Sequence, residues 1–161
     1  MGRSRGGFGS KFHLVTDGAG NPLAIEVTAG QVHESTIAES VIEQAVATLI
    51  GRRRQKRRRR HKPRKLAADK AYSVRRLRDW LSKQKIEPVI PYKENQPERH
   101  DPTVSFDRSA YRGRGVAEQC VGWLKEFRRS VTRGVKLAVH FHGMLELAMI
   151  GRYLRVLFSD I

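Results

Sequence analysis

Residues 51 to 65 read GRRRQKRRRRHKPRK, and 11 of these 15 are lysine or arginine. No protein core accepts such a run, because each unpaired buried cation costs several kcal/mol. The segment must be solvated or laid against phosphate, and everything that folds must fold around it. We therefore expect a mobile basic loop at 51–65, between the first helix and the strand that follows it. The imbalance continues beyond the run. Residues 1–50 carry three Lys and Arg against five Asp and Glu, whereas residues 51–161 carry 29 against 11. A half this basic is the electrostatic footprint of a polyanion partner, with nucleic acid ahead of an anionic membrane. No strongly amphipathic basic helix with an aromatic face supports the membrane.

The remaining 39% hydrophobic content is enough for one domain with a core in 161 residues. One cysteine, Cys120, excludes an internal disulfide and suits a reducing compartment. The opening MGRSRGGFGSKF shows no apolar stretch of a secretory signal. The most apolar segment, 137–158, is interrupted by His140, His142, Glu146, Arg152 and Arg155, so it reads as a buried core helix.

Periodicity supplies the element order. In SKFHLVTDGAGNPLAIEVTAG, Phe12 and Leu14 alternate with His13 and Val15, DGAGN supplies turn chemistry, and Leu23, Ile25 and Val27 alternate again. The preceding GRSRGGFG is expected to be irregular or close to a neighbouring backbone. Ile37, Val41, Ala45 and Leu49 form a helical stripe widened by Ile42 and Val46, and the capping-box spacing of Thr36 and Glu39 predicts its start. After the basic run, KLAADKAY reads as a short buried strand. SVRRLRDWLSKQ reads as a helix with Val74, Leu77, Trp80 and Leu81 inward, and IEPVIPY as a strand closed by Pro91. Helices over about 114–130 and 137–158 complete the chain. The fold class is α/β, a mixed sheet with flanking helices.

Within the helix after residue 114, offsets of four, seven and eleven residues return to nearly one face. Arg114, Glu118, Gly122, Lys125 and Arg129 share that face, and Tyr111 joins them if the helix begins early enough. Ala117, Cys120, Val121, Leu124 and Phe127 make the opposing apolar stripe. Glu118 is either one member of ordinary i,i+4 ion pairs or a metal-binding carboxylate whose flanking cations hold a phosphodiester. Gly122 weakens the helix, and one reason to keep it is a large body passing over that face. Asp69, after the apolar Leu66-Ala67-Ala68, is either a capping residue or a site residue at the carboxyl end of a strand. Asp17 is explained by the turn, and no histidine pair has metal-ligand spacing. Trp80 and Trp123 read as core residues, Trp123 alternatively as a neighbour of bound DNA.

Tyr111, Arg114, Glu118 and Lys125 match the signature Y-x2-R-x3-E-x6-K, so the chain resembles the DDE transposases of bacterial insertion sequences. RSRGGFGSKFHLVTDGAGNPLAIEVTAGQVHES is similar to that family's strand-turn-strand segment, and KPRKLAADKAYS to the segment bearing its second catalytic aspartate. GWLKEFRRSVTR continues the glutamate helix as the family does. The resemblance covers essentially the whole chain. It implies a ribonuclease-H-like fold, with Asp69 and Glu118 as catalytic and metal-binding residues. It further implies DNA contacts from Tyr111, Arg114, Lys125, Arg128 and Arg129. The cofactor implied is Mg²⁺ or Mn²⁺, two ions in the complete protein, and the partner is DNA, at the element ends and the target. A homodimer is left open, and the implied setting is the bacterial cytoplasm and its nucleoid.

The family's first aspartate lies on a strand preceding GRSRGG, a central strand that this chain lacks. We therefore expect residues 1–161 to form a single partial catalytic domain, inactive alone and completed by the upstream part of a transposase supplying that aspartate. Two other readings compete: a DNA-binding remnant without catalysis, and a basic RNA-binding protein, which leaves the signature around Glu118 unexplained.

Overall fold

The computed structural model describes residues 2–4, 7–54, 62–100, 105–131 and 137–158. Its strands are β1 (Gly2–Ser4), β2 (Gly7–Thr16), β3 (Pro22–Ala29), β4 (Lys65–Ala67) and β5 (Glu87–Val89). Its helices are α1 (Glu34–Arg54), α2 (Arg75–Lys83), α3 (Arg108–Arg112), α4 (Gly115–Val131) and α5 (Ala138–Phe158), with a 3₁₀ turn at Lys70–Tyr72. The chain is mixed α/β and divides into two units, residues 1–32 with 116–161, and residues 33–115. The parallel and antiparallel pairings expected in one mixed sheet occur in two separate sheets.

In the first unit β1, β2 and β3 form an antiparallel sheet in that order. The expected hairpin is there, with Phe12 opposite Val27 and Leu14 opposite Ile25. Because alternate side chains share a face, these four pack together against Cys120, Leu124, Phe141, Leu145 and Ala148 of α4 and α5. Asp17 builds the turn as its sequence context indicates. Its Oδ1 accepts from the Ala19 and Asn21 amides at 2.9 Å, and Oδ2 accepts from the Asn21 side-chain amide at 3.0 Å. Gly20 adopts φ +80°, which a Cβ would strain. The segment expected to be irregular is instead partly ordered, since Gly2 pairs with Gly9 and Ser4 with Gly7. The close backbone approach is real at Gly9, whose carbonyl accepts from the Gly30 amide at 2.9 Å.

Two apolar helix faces differ from expectation. The α4 stripe buries Cys120 and Leu124 fully, but its next member, Phe127, is 40% exposed. Trp123 packs on that core, stacked at 6.0 Å on Phe127. Helix α5, expected to be buried, buries one face only. Phe141, Leu145 and Ala148 are inward, while Leu147, Ile150, Leu154 and Leu157 are exposed. It is tied to β3 by His142, whose Nε2 donates to the Ile25 carbonyl at 3.1 Å, and by the Tyr153 hydroxyl, which donates to the Pro22 carbonyl. No helix among the described residues is long and apolar enough to cross a membrane.

In the second unit β4 and β5 run parallel, Lys65 opposite Glu87 and Ala67 opposite Val89. Helix α2 connects them, with Leu77 and Leu81 buried beside Ile86, Val89 and Ile90. Strand β4 itself is half-buried rather than buried. Helix α1 starts at Glu34, two residues before the capping-box reading placed it. His33 takes the capping role: its Nδ1 accepts from the Ser35 amide at 3.3 Å, and its carbonyl accepts from the Thr36 hydroxyl at 2.7 Å. Glu39 instead pairs with Arg76 of α2 at 2.9 Å.

The basic run is not wholly a loop. Residues 51–54 end α1, residues 55–61 lie outside the described residues, and Lys65 opens β4. The Lys65 ammonium is 2.6 Å from Asp107 and 3.3 Å from Glu87, so it ties β4 to β5 and to the N-cap of α3. Hydrogen bonding to both acids holds its pKa above the usual lysine value.

Candidate active site

Asp69 follows β4 by two residues, at the carboxyl end of a strand in a parallel pair, where α/β sheets collect their sites. Next to it Lys70–Tyr72 form the 3₁₀ turn that leads into α2. Asp69 occupies the N-cap position of this turn, yet its carboxylate does no capping. The Tyr72 amide bonds the Asp69 backbone carbonyl at 2.9 Å instead. The capping explanation that accounts for Asp17 and Asp107 therefore fails for Asp69. Its carboxylate is half-exposed, with the Arg114 guanidinium 3.9 Å away.

Arg114 reaches Asp69 because the helix does not run unbroken through the signature. Helix α3 carries Tyr111 and stops at Gly113, Arg114 lies in the turn, and α4 begins at Gly115. Tyr111 thus belongs to a different helix from Glu118, which revises the single-face arithmetic. The Arg114 amide bonds the Tyr111 carbonyl at 3.0 Å, and its guanidinium lies 5.1 Å from the centre of the Tyr111 ring. The Phe106 ring lies 5.3 Å from that of Tyr111, tilted by 58°. Tyr111, Arg114 and Asp69 therefore form one local cluster in the second unit: an aromatic platform, a cation held on it, and a carboxylate facing that cation.

Tyr72 is the last residue of the turn that Asp69 opens. Burial, reinforced by the charges of Glu34 and then Asp69, pushes its phenol up to about 12. Beside the carboxylate a cleft of about 400 Å³ is lined by Asp69, Lys70, Ala71, Lys93 and Glu94. The sequence reading missed Lys70, Lys93 and Glu94. Lys70 stands beside the aspartate in ADKAY and could have been noticed, whereas Lys93 and Glu94 reach the cleft only through the path of the loop after β5.

Glu118 lies in the first turn of α4 and is exposed, in the first unit. Gly122 and Lys125, one and two turns on, are exposed too, and a Cβ at Gly122 would meet nothing within 4 Å. The face singled out by spacing is therefore an open one. Opposite it Cys120 is buried, and burial pushes its thiol pKa up. The side chains of Arg128 and Arg129 lie outside the described residues. Asp69 in the second unit and Glu118 in the first each offer hard carboxylate oxygens, a donor type that suits Mg²⁺ or Mn²⁺. No group of three or more His, Cys, Asp or Glu that could hold a metal gathers among the described residues.

The model of the Transposase DDE domain family matches residues 2–150, across both units. The chain belongs to this family, the DDE transposases of insertion sequences, whose members use divalent metal ions. It is 34% identical over 121 residues to a Burkholderia cepacia protein named "Putative transposase for insertion sequence element IS402". That alignment covers 75% of this chain and 51% of the relative, so the chain spans about half the length of the curated relative it matches. No solved structure matches the chain significantly.

Proposed function

We propose that residues 1–161 form part of the catalytic domain of an insertion-sequence transposase, which cuts DNA and joins the cut strand to a target. Family membership across both units supports this reading, and the observation that carries it is the Asp69 carboxylate. It stands at a strand end, does no capping and faces a cation held by the signature tyrosine. In this reading the fold is ribonuclease-H-like.

Asp69 and Glu118 would serve as metal-binding carboxylates for Mg²⁺ or Mn²⁺, two ions in the complete protein. Bound there, the ions supply electrophilic stabilisation of the charge that develops on the scissile phosphate and its leaving oxygen. The protein's own groups do the positioning. Arg114, fixed on Tyr111, offsets the charge of Asp69 before metal binds and can turn to a DNA phosphate afterwards. Lys125, Arg128 and Arg129 continue the cationic face down α4, and the open surface at Gly122 lets a duplex backbone lie close. DNA and the remainder of the transposase are the partners, with a homodimer open, in the cytoplasm at the nucleoid.

Mn²⁺ titration of the full-length transposase, followed by electron paramagnetic resonance, tests the assignment. Asp69→Asn and Glu118→Gln should each weaken binding by roughly tenfold or more, given that even outer-shell partners of a metal site are worth 10–100-fold. Unchanged Mn²⁺ affinity in both variants would contradict it. A second reading is a DNA-binding remnant without catalysis, which the basic half of the chain would also serve. Salt-sensitive DNA binding with no Mn²⁺ uptake by the full-length protein would select that reading.

A further inference from the structure

Two pairs of lysines in the second unit differ in their commitments. Lys62 and Lys65 are committed to the fold, through Gln84 at 2.6 Å and through Asp107 and Glu87. Lys70 and Lys93 form no ion pair among the described residues, although both line the Asp69 cleft. The two lysines line a cleft that also carries Asp69 and Glu94 without pairing to either carboxylate, and such cations are placed for an anion that has yet to arrive.

The wall that carries Lys93 is built rather than loose. Gln96 Oε1 accepts from the Lys93 amide at 2.7 Å and from the Ser73 hydroxyl at 2.6 Å, while its Nε2 donates to the Ser73 carbonyl at 3.2 Å. Arg78 Nη2 donates to Ser73 Oγ at 3.0 Å and to the Ile90 carbonyl at 2.7 Å. Its guanidinium lies 3.8 Å from the Tyr92 ring centre. Ser73 is 2% exposed, so the hub of this network is buried. The network fastens the loop after β5 to the start of α2 and so fixes Lys93 opposite the Asp69–Lys70 turn. Glu94, the remaining charged group of the cleft, is exposed and pairs with Arg99 at 3.5 Å, so it leaves the lysines available.

We propose that this cleft seats a phosphate of the DNA strand beside the Asp69 carboxylate. Lys70 and Lys93 are its phosphate-holding cations, and Gln96 is the residue that positions Lys93. The inference rests on the transposase reading and adds a strand-binding subsite to it. A volume of about 400 Å³ falls in the range of ligand clefts, and a lysine holds phosphate as a point charge without a fixed fork.

The test measures lysine acetylation by mass spectrometry on the full 161-residue chain, free and bound to a short DNA duplex, with Lys83 at the exposed end of α2 as reference. Salt titrations of the same complex accompany it. Lys70 and Lys93 should be protected more strongly than Lys83. Lys70→Ala and Lys93→Ala should each lower the slope of log K against log salt by about 0.9, the value of one lost phosphate contact. Lys93→Arg should keep the slope, and Gln96→Ala should reduce the protection of Lys93 while leaving Lys70 protected. Equal acetylation of Lys70 and Lys93 with and without DNA, in a chain that still binds DNA with a steep salt slope, would overturn the subsite and leave the transposase reading standing. Loss of all salt-dependent DNA binding in the parent chain would remove both.

Discussion

Three aspartates with similar sequence surroundings separate by what their oxygens do. Asp17 and Asp107 spend theirs on backbone amides, as turn and cap residues do, whereas the Asp69 carboxylate caps nothing and faces Arg114. Sequence alone left capping and site readings of Asp69 open, because both place an aspartate between a strand and a helical turn, and only the acceptor of the Tyr72 amide, the Asp69 carbonyl and not its carboxylate, distinguishes them. At 3.9 Å and with both groups partly exposed, the Arg114–Asp69 pair should contribute no more than about 1 kcal/mol to stability. Arg114→Ala is therefore expected to lower Tm little while impairing DNA cleavage by the full-length protein, and a large Tm loss in calorimetry would show a structural role instead. Tyr72 gives a prediction in alkali. Its folded pKa of about 12 lies above the unfolded value near 10, so its contribution is fully present below pH 10 and is lost as pH rises from 10 to 12. Urea unfolding should show parent stability falling by about 2–3 kcal/mol more than that of Tyr72→Phe across this window. Parallel curves for the two proteins would contradict the assignment.

Element by element, the strands and helices that carry strong periodicity are found where the sequence indicates: the hairpin, α2, and the starts of α4 and α5. The differences have separate physical causes. β1 was invisible because its three residues, Gly2–Ser4, are too few to show alternation. The start of α1 was misplaced because His33 caps through its ring nitrogen and carbonyl, outside the S/T-x-x-E pattern. The break between α3 and α4 follows from glycines on both sides of Arg114, which the face arithmetic passed over. At Gly122, on an open helix face, alanine should stabilise the fold by up to about 1 kcal/mol through helix propensity alone. A bulky Gly122→Trp should weaken DNA binding, as anisotropy would register, and equal affinity would mean that no DNA backbone passes there. Leu124→Ala, at a fully buried position, should cost about 2–5 kcal/mol in urea unfolding, and a cost near zero would contradict the packing of α4.

For the whole molecule, charge was the most legible property and its division of labour the least. The net charge of +16 points to a polyanion, but it does not reveal that Lys65 is a structural tie while Lys70 and Lys93 face a cleft. Those distinctions depend on contacts between residues more than 20 positions apart, such as Gln96 with Ser73, for which a single sequence carries no periodic signal. The signature around Glu118, by contrast, was readable at once, because its spacing is local. The family match over residues 2–150 places both carboxylates within one transposase domain sequence. Strand cleavage by the full-length transposase, on DNA carrying its element ends with Mg²⁺ or Mn²⁺, tests the central claim most directly. Asp69→Asn and Glu118→Gln should each reduce cleavage by at least about 100-fold while leaving DNA affinity within a few-fold of the parent. Cleavage at the parental rate in either variant would contradict the account.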